Sequence, residues 1–337
     1  MLPTKYSLII TTLLCLVTTY VSAGRFSDNE LRGPEFTNPD IPFDMPEEWQ
    51  NQPIKYSDWA NKADLAVSLD QFLYPFMLPA IEKYAQENKV NIAVQEGTCG
   101  TSAKALKNKE ADIAGFCCPA AETDRFIGLK FHTVGIASLA LLTHPSNKIT
   151  DVTYDEAQKI FRGDIYRWSE LKTAEGKKGA KRPIRVIGRP HCKLRPGHWR
   201  LLLKNEDEFS PRMQEVSAIE DMMSEVAKTE DAVGYETLWS LKQHPQQKVS
   251  TLAINGIKPS ESEKIASGEY PIYRVYNVTT WEADNTKSEA AQKLVTYLIE
   301  QMEFIDPKYG VVPVSKLRKT GWQFKDNELI GEPDVKK

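Results

Sequence analysis

Four cysteines stand beyond the N-terminal apolar stretch, at Cys99, Cys117, Cys118 and Cys192, and His191 and His198 flank the last of them. Thiols and imidazoles are the usual ligands of zinc and copper, and in an oxidising compartment thiols pair as disulfides. These six residues therefore admit two chemistries. One is a soft-metal or thiol-redox centre built from Cys99, Cys117, Cys118, Cys192, His191 and His198. The other is one or two disulfides pinning loops, for example Cys99 to Cys117 or Cys118. Four cysteines allow three pairings, and no C-x-x-C, C-x-x-C-H or H-x3-H spacing chooses among them.

A third chemistry is anion binding. The loop Gly97-Thr-Cys-Gly-Thr-Ser102 opens an expected helix, and backbone N–H groups at a helix start attract negative charge. It lacks the Lys-Ser/Thr ending of a nucleotide-binding loop. Between Lys177 and Arg200 stand nine cations (Lys177, Lys178, Lys181, Arg182, Arg185, Arg189, Lys193, Arg195, Arg200) with no Asp or Glu, in a chain whose net charge is −3. Such a local field favours an anionic ligand. The near-neutral total and the few interleaved aromatics argue against nucleic acid. Catalysis leaves no comparable trace, since G-x-S-x-G and H-E-x-x-H are both missing. No cofactor is expected.

The elements that must position these residues follow from hydrophobic periodicity. Short apolar runs (65–69, 90–94, 111–116, 133–143, 184–188, 232–235, 252–255, 272–277) alternate with helical patterns (72–84, 103–109, 154–161, 168–172, 199–204, 218–228, 287–304). That alternation predicts an α/β fold with mostly parallel strands. In such a sheet ligands gather beyond the carboxyl ends of the strands. All four cysteines, the Gly97–Ser102 loop and Arg189 fall in loops that follow strands.

The 337 residues, 41% of them hydrophobic, suffice for about two domains. Residues 1–23 read as a secretory signal, with Lys5, an apolar run from Leu8 to Tyr20, and Val21-Ser22-Ala23 before Gly24. No later apolar run approaches the length that spans a bilayer. A periplasmic or secreted protein, soluble once the signal is removed, is expected. Residues 24–62, rich in Pro, Asn and Asp, read as an irregular arm.

In the order in which they occur, several segments resemble the periplasmic solute-binding proteins of ABC transporters, of the phosphate-binding type. They are Tyr74-Pro75, Lys109-Glu-Ala-Asp-Ile-Ala114, Val134-Gly-Ile136, His144-Pro-Ser-Asn147, Ile149-Thr-Asp-Val-Thr153 and Ile160-Phe-Arg-Gly-Asp164. Trp168-Ser-Glu-Leu171, Val186-Ile-Gly-Arg189, Ala232-Val-Gly-Tyr235, Glu269-Tyr-Pro-Ile272 and Tyr309-Gly-Val-Val-Pro313 complete the set. The resemblance implies a two-lobed periplasmic-binding-protein fold of type II: lobe I from 63–136 plus 271–337, and lobe II from 137–270. It also implies a monomer that clamps phosphate or a related oxyanion between the lobes and delivers it to an inner-membrane ABC transporter.

The ligand loops are where the chain departs from that family. Asp70 and Gln71 stand where the family uses small hydroxyl residues and Gly, and Cys117 and Cys118 where it has Ser followed by Arg or Asp. Cys192-Lys-Leu-Arg-Pro196 replaces a Ser-Gly-Thr-Arg run. Gly97, Thr98, Thr101, Ser102 and Arg189 carry over. By this resemblance Gly97, Thr98, Thr101 and Ser102 donate N–H and O–H groups to the anion, while Arg189, Lys193 and Arg195 neutralise it. Asp70, Gln71, Cys117 and Cys118 complete the lining.

Overall fold

A computed structural model describes residues 36–190 and 201–334. Its first βα units are the ones periodicity predicts: β1 (Leu65–Asp70), α2 (Tyr74–Asn88), β2 (Ile92–Gly97), α3 (Cys99–Lys107) and β3 (Ile113–Phe116), preceded by the single turn α1 (Glu47–Gln50). β1 pairs in parallel with both β2 and β3. All six β1 residues are buried, which a continuous apolar run covered on both faces requires.

β4 (Leu129–Thr143) is fifteen residues long and organises the rest. Its first part runs antiparallel to β10 (Tyr273–Trp281), and its last part pairs antiparallel with β8 (Ala232–Thr237) and β9 (Ser250–Ile254). Between them lie β5 (Asp151–Val152), α4 (Tyr154–Arg162), β6 (Arg185–Gly188), β7 (Gln214–Glu215), α5 (Ile219–Lys228), α6 (Leu238–Gln243) and α7 (Ser262–Ala266). The chain closes with α8 (Glu289–Gln301), β11 (Val311–Pro313), α9 (Val314–Lys319), β12 (Gln323–Lys325) and β13 (Glu328–Gly331). The sheet order β2-β1-β3-β10-β4-β8-β6-β7 is parallel on its flanks, as the alternation predicts, and antiparallel at its centre.

Two hydrophobic cores result. One gathers around β1 and β3 with Leu69, Phe116, Phe131 and Leu294; the other lies around β6 and β8 with Phe161, Trp168, Met222 and Tyr235. β4 and β10 contribute to both: Val134 and Tyr276 to the first, Leu141 and Val275 to the second. Leu317, Trp322 and Leu329 from the C-terminal elements pack into the second core.

One local expectation is corrected. Of the helix expected at 199–204, residues 199 and 200 lie outside the described residues, 201–202 form a turn and 203–204 are not helical. Leu201, Leu202 and Leu203 are all buried, a run with no helical period, and the Tyr154 hydroxyl donates to the Leu201 carbonyl. The arm over residues 36–62 is irregular but anchored. The Lys109 ammonium donates to the Gln50 and Gln52 carbonyls at 3.0 and 2.5 Å and lies over the Trp49 ring. Among the described residues no helix is long and apolar enough to cross a membrane.

Candidate functional site

The carboxyl ends of β1 and β3 and the start of α3 converge on one point. Thr98 caps α3: its hydroxyl accepts from the Thr101 N–H, and the Thr101 hydroxyl accepts from the Thr98 N–H, both at 3.2 Å. This reciprocal box fixes the entry of the chain into the helix. It also holds the Thr101 side chain so close to Gly97 that a Cβ there would lie 2.6 Å from Thr101 Cβ. Ser102, fully buried, donates its hydroxyl to the Ser68 carbonyl at 3.0 Å. The expected hydroxyl donors are thus engaged in building the loop. The first-turn N–H groups of Cys99 and Gly100 are those that helix geometry leaves without an intrahelical acceptor.

Under that helix start sits a buried polar cluster. Asp70 ends β1, with one carboxylate oxygen accepting from the Phe72 N–H at 2.9 Å and the other 3.4 Å from Cys99 Sγ. Gln71 is half-buried and ties the loop by donating its N–H to the Gly97 carbonyl at 2.8 Å. Cys117 and Cys118 follow β3. Cys99 Sγ lies 2.9 Å from Cys117 Sγ and 3.7 Å from Cys118 Sγ. All three are free thiols. No disulfide joins Cys99 to Cys117 or Cys118 in this structure, where the sulfurs stand beyond the roughly 2.05 Å of an S–S bond.

Arg274, on β10, is the residue that sequence reading missed. It is buried, its guanidinium lies 4.0 Å above the Phe72 ring, and its Nη2 donates to Cys117 Sγ at 2.5 Å. Asn277, next to an irregularity in the β4–β10 ladder, donates to the Cys118 carbonyl at 3.1 Å and accepts from the Thr133 hydroxyl at 2.7 Å. The only signal for Arg274 was a lone cation two residues before Tyr276 in an apolar strand, which places both on one face.

Burial sets the protonation of the cluster. It pushes the Asp70 carboxyl up, against the pull of the Arg274 charge. Burial likewise raises the Cys117 thiol, and the Cys99 thiol is raised by its hydrogen bonds to Cys117 and Cys118 and then by burial. For Arg274 burial works against the charge, and the fields of Cys117, Tyr276 and Asp70 outweigh it, leaving the guanidinium raised.

Arg189 is held elsewhere in the fold. Its Nη2 meets Glu236 Oε1 at 2.6 Å, with side chains 9% and 0% exposed, and its N–H donates to the Tyr235 hydroxyl at 2.9 Å. Glu236 also accepts from the Thr237 N–H and the Ser240 hydroxyl. Among the other cations of the basic segment, Arg182 pairs with Glu230 and Asp231. That field is therefore partly matched from within. His191, Cys192, Lys193, Arg195, His198 and Arg200 lie outside the described residues.

Comparison with known proteins gives a consistent answer. The family model of the PBP superfamily domain matches residues 57–301. The phosphate-binding protein PstS of Bacillus subtilis is 28% identical over 264 residues, covering 76% of this chain and 82% of that protein. Among solved structures, an ABC-type phosphate transport receptor from Vibrio cholerae superposes with a TM-score of 0.59 at 20% identity, covering 74% of this chain and 99% of that one. A Clostridium perfringens transporter substrate-binding protein with bound phosphate gives a TM-score of 0.60 at 20% identity, with the same coverages.

Proposed function

The chain belongs to the PBP superfamily domain family, and from that membership we propose that it is an exported solute-binding protein for phosphate or a related oxyanion, serving an ABC-type transporter. The observation that carries this is the family match itself, which runs through both hydrophobic cores and the strands they share. The likeness to a phosphate-binding protein over three quarters of the chain names the first ligand to test. On this reading the protein binds without turnover, after loss of a signal peptide at residues 1–23, and its partner is the transporter.

The lobes are assigned to 63–136 plus 271–337 and to 137–270, with the anion between them. From the first, Gly97, Thr98, Thr101 and Ser102 form the helix start, whose N–H groups and dipole favour an anion. Asp70 and Gln71 border it, and the Asp70 carboxyl is suited to accept the proton of a monohydrogen anion. Cys117 and Cys118 close the floor. Lys193 and Arg195 supply positive charge from the second lobe, with Arg189 contributing less because Glu236 already matches it.

Calorimetric titration of the purified chain with phosphate, arsenate, sulfate, molybdate and tungstate tests the reading. One equivalent of phosphate or another of these oxyanions is expected to bind with heat and to raise the melting temperature. Absence of heat and of any thermal shift with all five would sink it.

A further inference from the structure

Nothing in anion binding calls for three thiols. A thiol is a weak hydrogen-bond donor, yet Cys99, Cys117 and Cys118 bring three sulfurs within 4.8 Å of one another in a fully buried setting. They come from two separate points of the chain, the start of α3 and the end of β3, so the cluster is a product of the fold and not of local sequence.

The spacing has a chemical match. A soft ion with metal–sulfur bonds of about 2.3 Å holds its sulfurs roughly 3.8–4.0 Å apart. Cys99 and Cys118 stand at 3.7 Å already. Cys99 and Cys117, at 2.9 Å, must open by about 0.9 Å to reach that separation. Among the described residues no His, fourth Cys or carboxylate lies within 4.8 Å of all three sulfurs. A three-sulfur set suits zinc poorly, because structural zinc takes four ligands. It suits Cu(I), which soft thiolates select.

The surroundings are those of a ligand set. Arg274 Nη2 donates to Cys117 Sγ at 2.5 Å, and the Cys117 N–H donates to Cys99 Sγ at 3.4 Å. Outer partners of this kind orient metal ligands and stabilise their charge. The Asp70 carboxylate, 3.4 Å from Cys99 Sγ, stands beside the thiol hydrogen that ligation must displace.

We propose that Cys99, Cys117 and Cys118 form a binding site for one soft, thiophilic metal ion of the Cu(I) class, held by three sulfurs. On binding, each S–H bond breaks with its electron pair kept by sulfur and shared with the metal. The three protons pass to solvent. The metal enters and remains as Cu(I), so no oxidant or reductant takes part. The Arg274 charge faces the negative trithiolate centre. This site shares Asp70, Cys117 and Cys118 with the lining proposed for the anion, but it does not rest on the phosphate reading and uses the cysteines in a different role.

The test is an anaerobic titration of the reduced full chain with Cu(I) against a chromophoric Cu(I) chelator. The protein is expected to withdraw one equivalent and to develop near-ultraviolet sulfur-to-copper absorption. Cys99→Ser, Cys117→Ser and Cys118→Ser should each weaken binding by about 100-fold or more, and Arg274→Met by roughly 10-fold. Cys192→Ser should retain it. Far-UV circular dichroism melts show which variants remain folded, and Cys99→Ser serves if a β3 variant does not. No copper withdrawn by the reduced wild type overturns the proposal. So does binding that survives Cys99→Ser but is lost in Cys192→Ser. Phosphate titrated into the same preparation separates the two readings: copper binding without phosphate heat supports this site alone, and phosphate heat without copper binding overturns it alone.

Discussion

Replacing Glu236 by Gln tests what Arg189 does. The pair is buried, with Arg189 Nη2 and Glu236 Oε1 2.6 Å apart, and the second carboxylate oxygen accepts from the Thr237 N–H and the Ser240 hydroxyl at 3.0 and 3.1 Å. A glutamine has one acceptor oxygen. If that oxygen keeps Thr237 and Ser240, the amide nitrogen confronts the guanidinium, donor against donor, and leaves a buried cation without its counter-charge. Removing one member of a buried ion pair costs about 3–5 kcal/mol. For a unit of roughly 150–250 residues, at about 2–4 °C per kcal/mol, this lowers the melting temperature by roughly 6–20 °C. Urea unfolding followed by tryptophan fluorescence measures the loss. Arg189→Met combined with Glu236→Gln should recover at least half of it, because no charge is then left unpaired. If Glu236→Gln costs less than about 1 kcal/mol, Arg189 is not held by this pair. It would then be free to neutralise a ligand as the family resemblance implies.

Two further outcomes rest on single features of β4. Burial and then the Lys130 charge hold His132 at a pKa of about 4, below its ordinary 6.5. The folded state therefore binds fewer protons than the unfolded state between those values. Its contribution is full above pH 6.5 and is lost as pH falls toward 4, by up to about 3 kcal/mol. Urea unfolding at pH 7 and pH 4.5 should show a drop that His132→Asn lacks, and equal drops in both proteins would refute the assignment. Gly135→Ala would place a Cβ 2.4 Å from the Val312 carbonyl oxygen, where β11 pairs antiparallel with β4. A backbone atom cannot swing aside, so the variant should lose about 1–3 kcal/mol by urea unfolding, and a wild-type midpoint would show that β11 does not lie there.

The βα alternation was legible because its strands are short apolar runs and its helices carry a 3.6-residue period. α4 combines both kinds of signal. Thr153 and Glu156 cap its start, Gly163 at φ +86° ends it, and Ala157, Ile160 and Phe161 form its buried stripe. The antiparallel centre was not legible. β4 and β10 are buried along nearly their whole length, so no alternation of exposed and buried residues marks which strands they join. The short strands β5 and β7, with two residues each, have no period to read.

The candidate site divides along the same line. Cysteines in successive post-strand loops pointed to convergence, because parallel strands end at the same edge, and Cys99, Cys117 and Cys118 do meet there. Arg274 gave no comparable signal, since an arginine in a strand usually ends in water, and its burial depends on Phe72 and Cys117 from distant parts of the chain. Glu236 has the same character: its partner Arg189 is 47 residues away. Charged groups placed by tertiary pairing are invisible to periodicity, and here they decide the electrostatics. Arg274 brings positive charge to the thiols, and Glu236 removes it from Arg189. A nine-cation segment therefore overstates the field that the fold delivers.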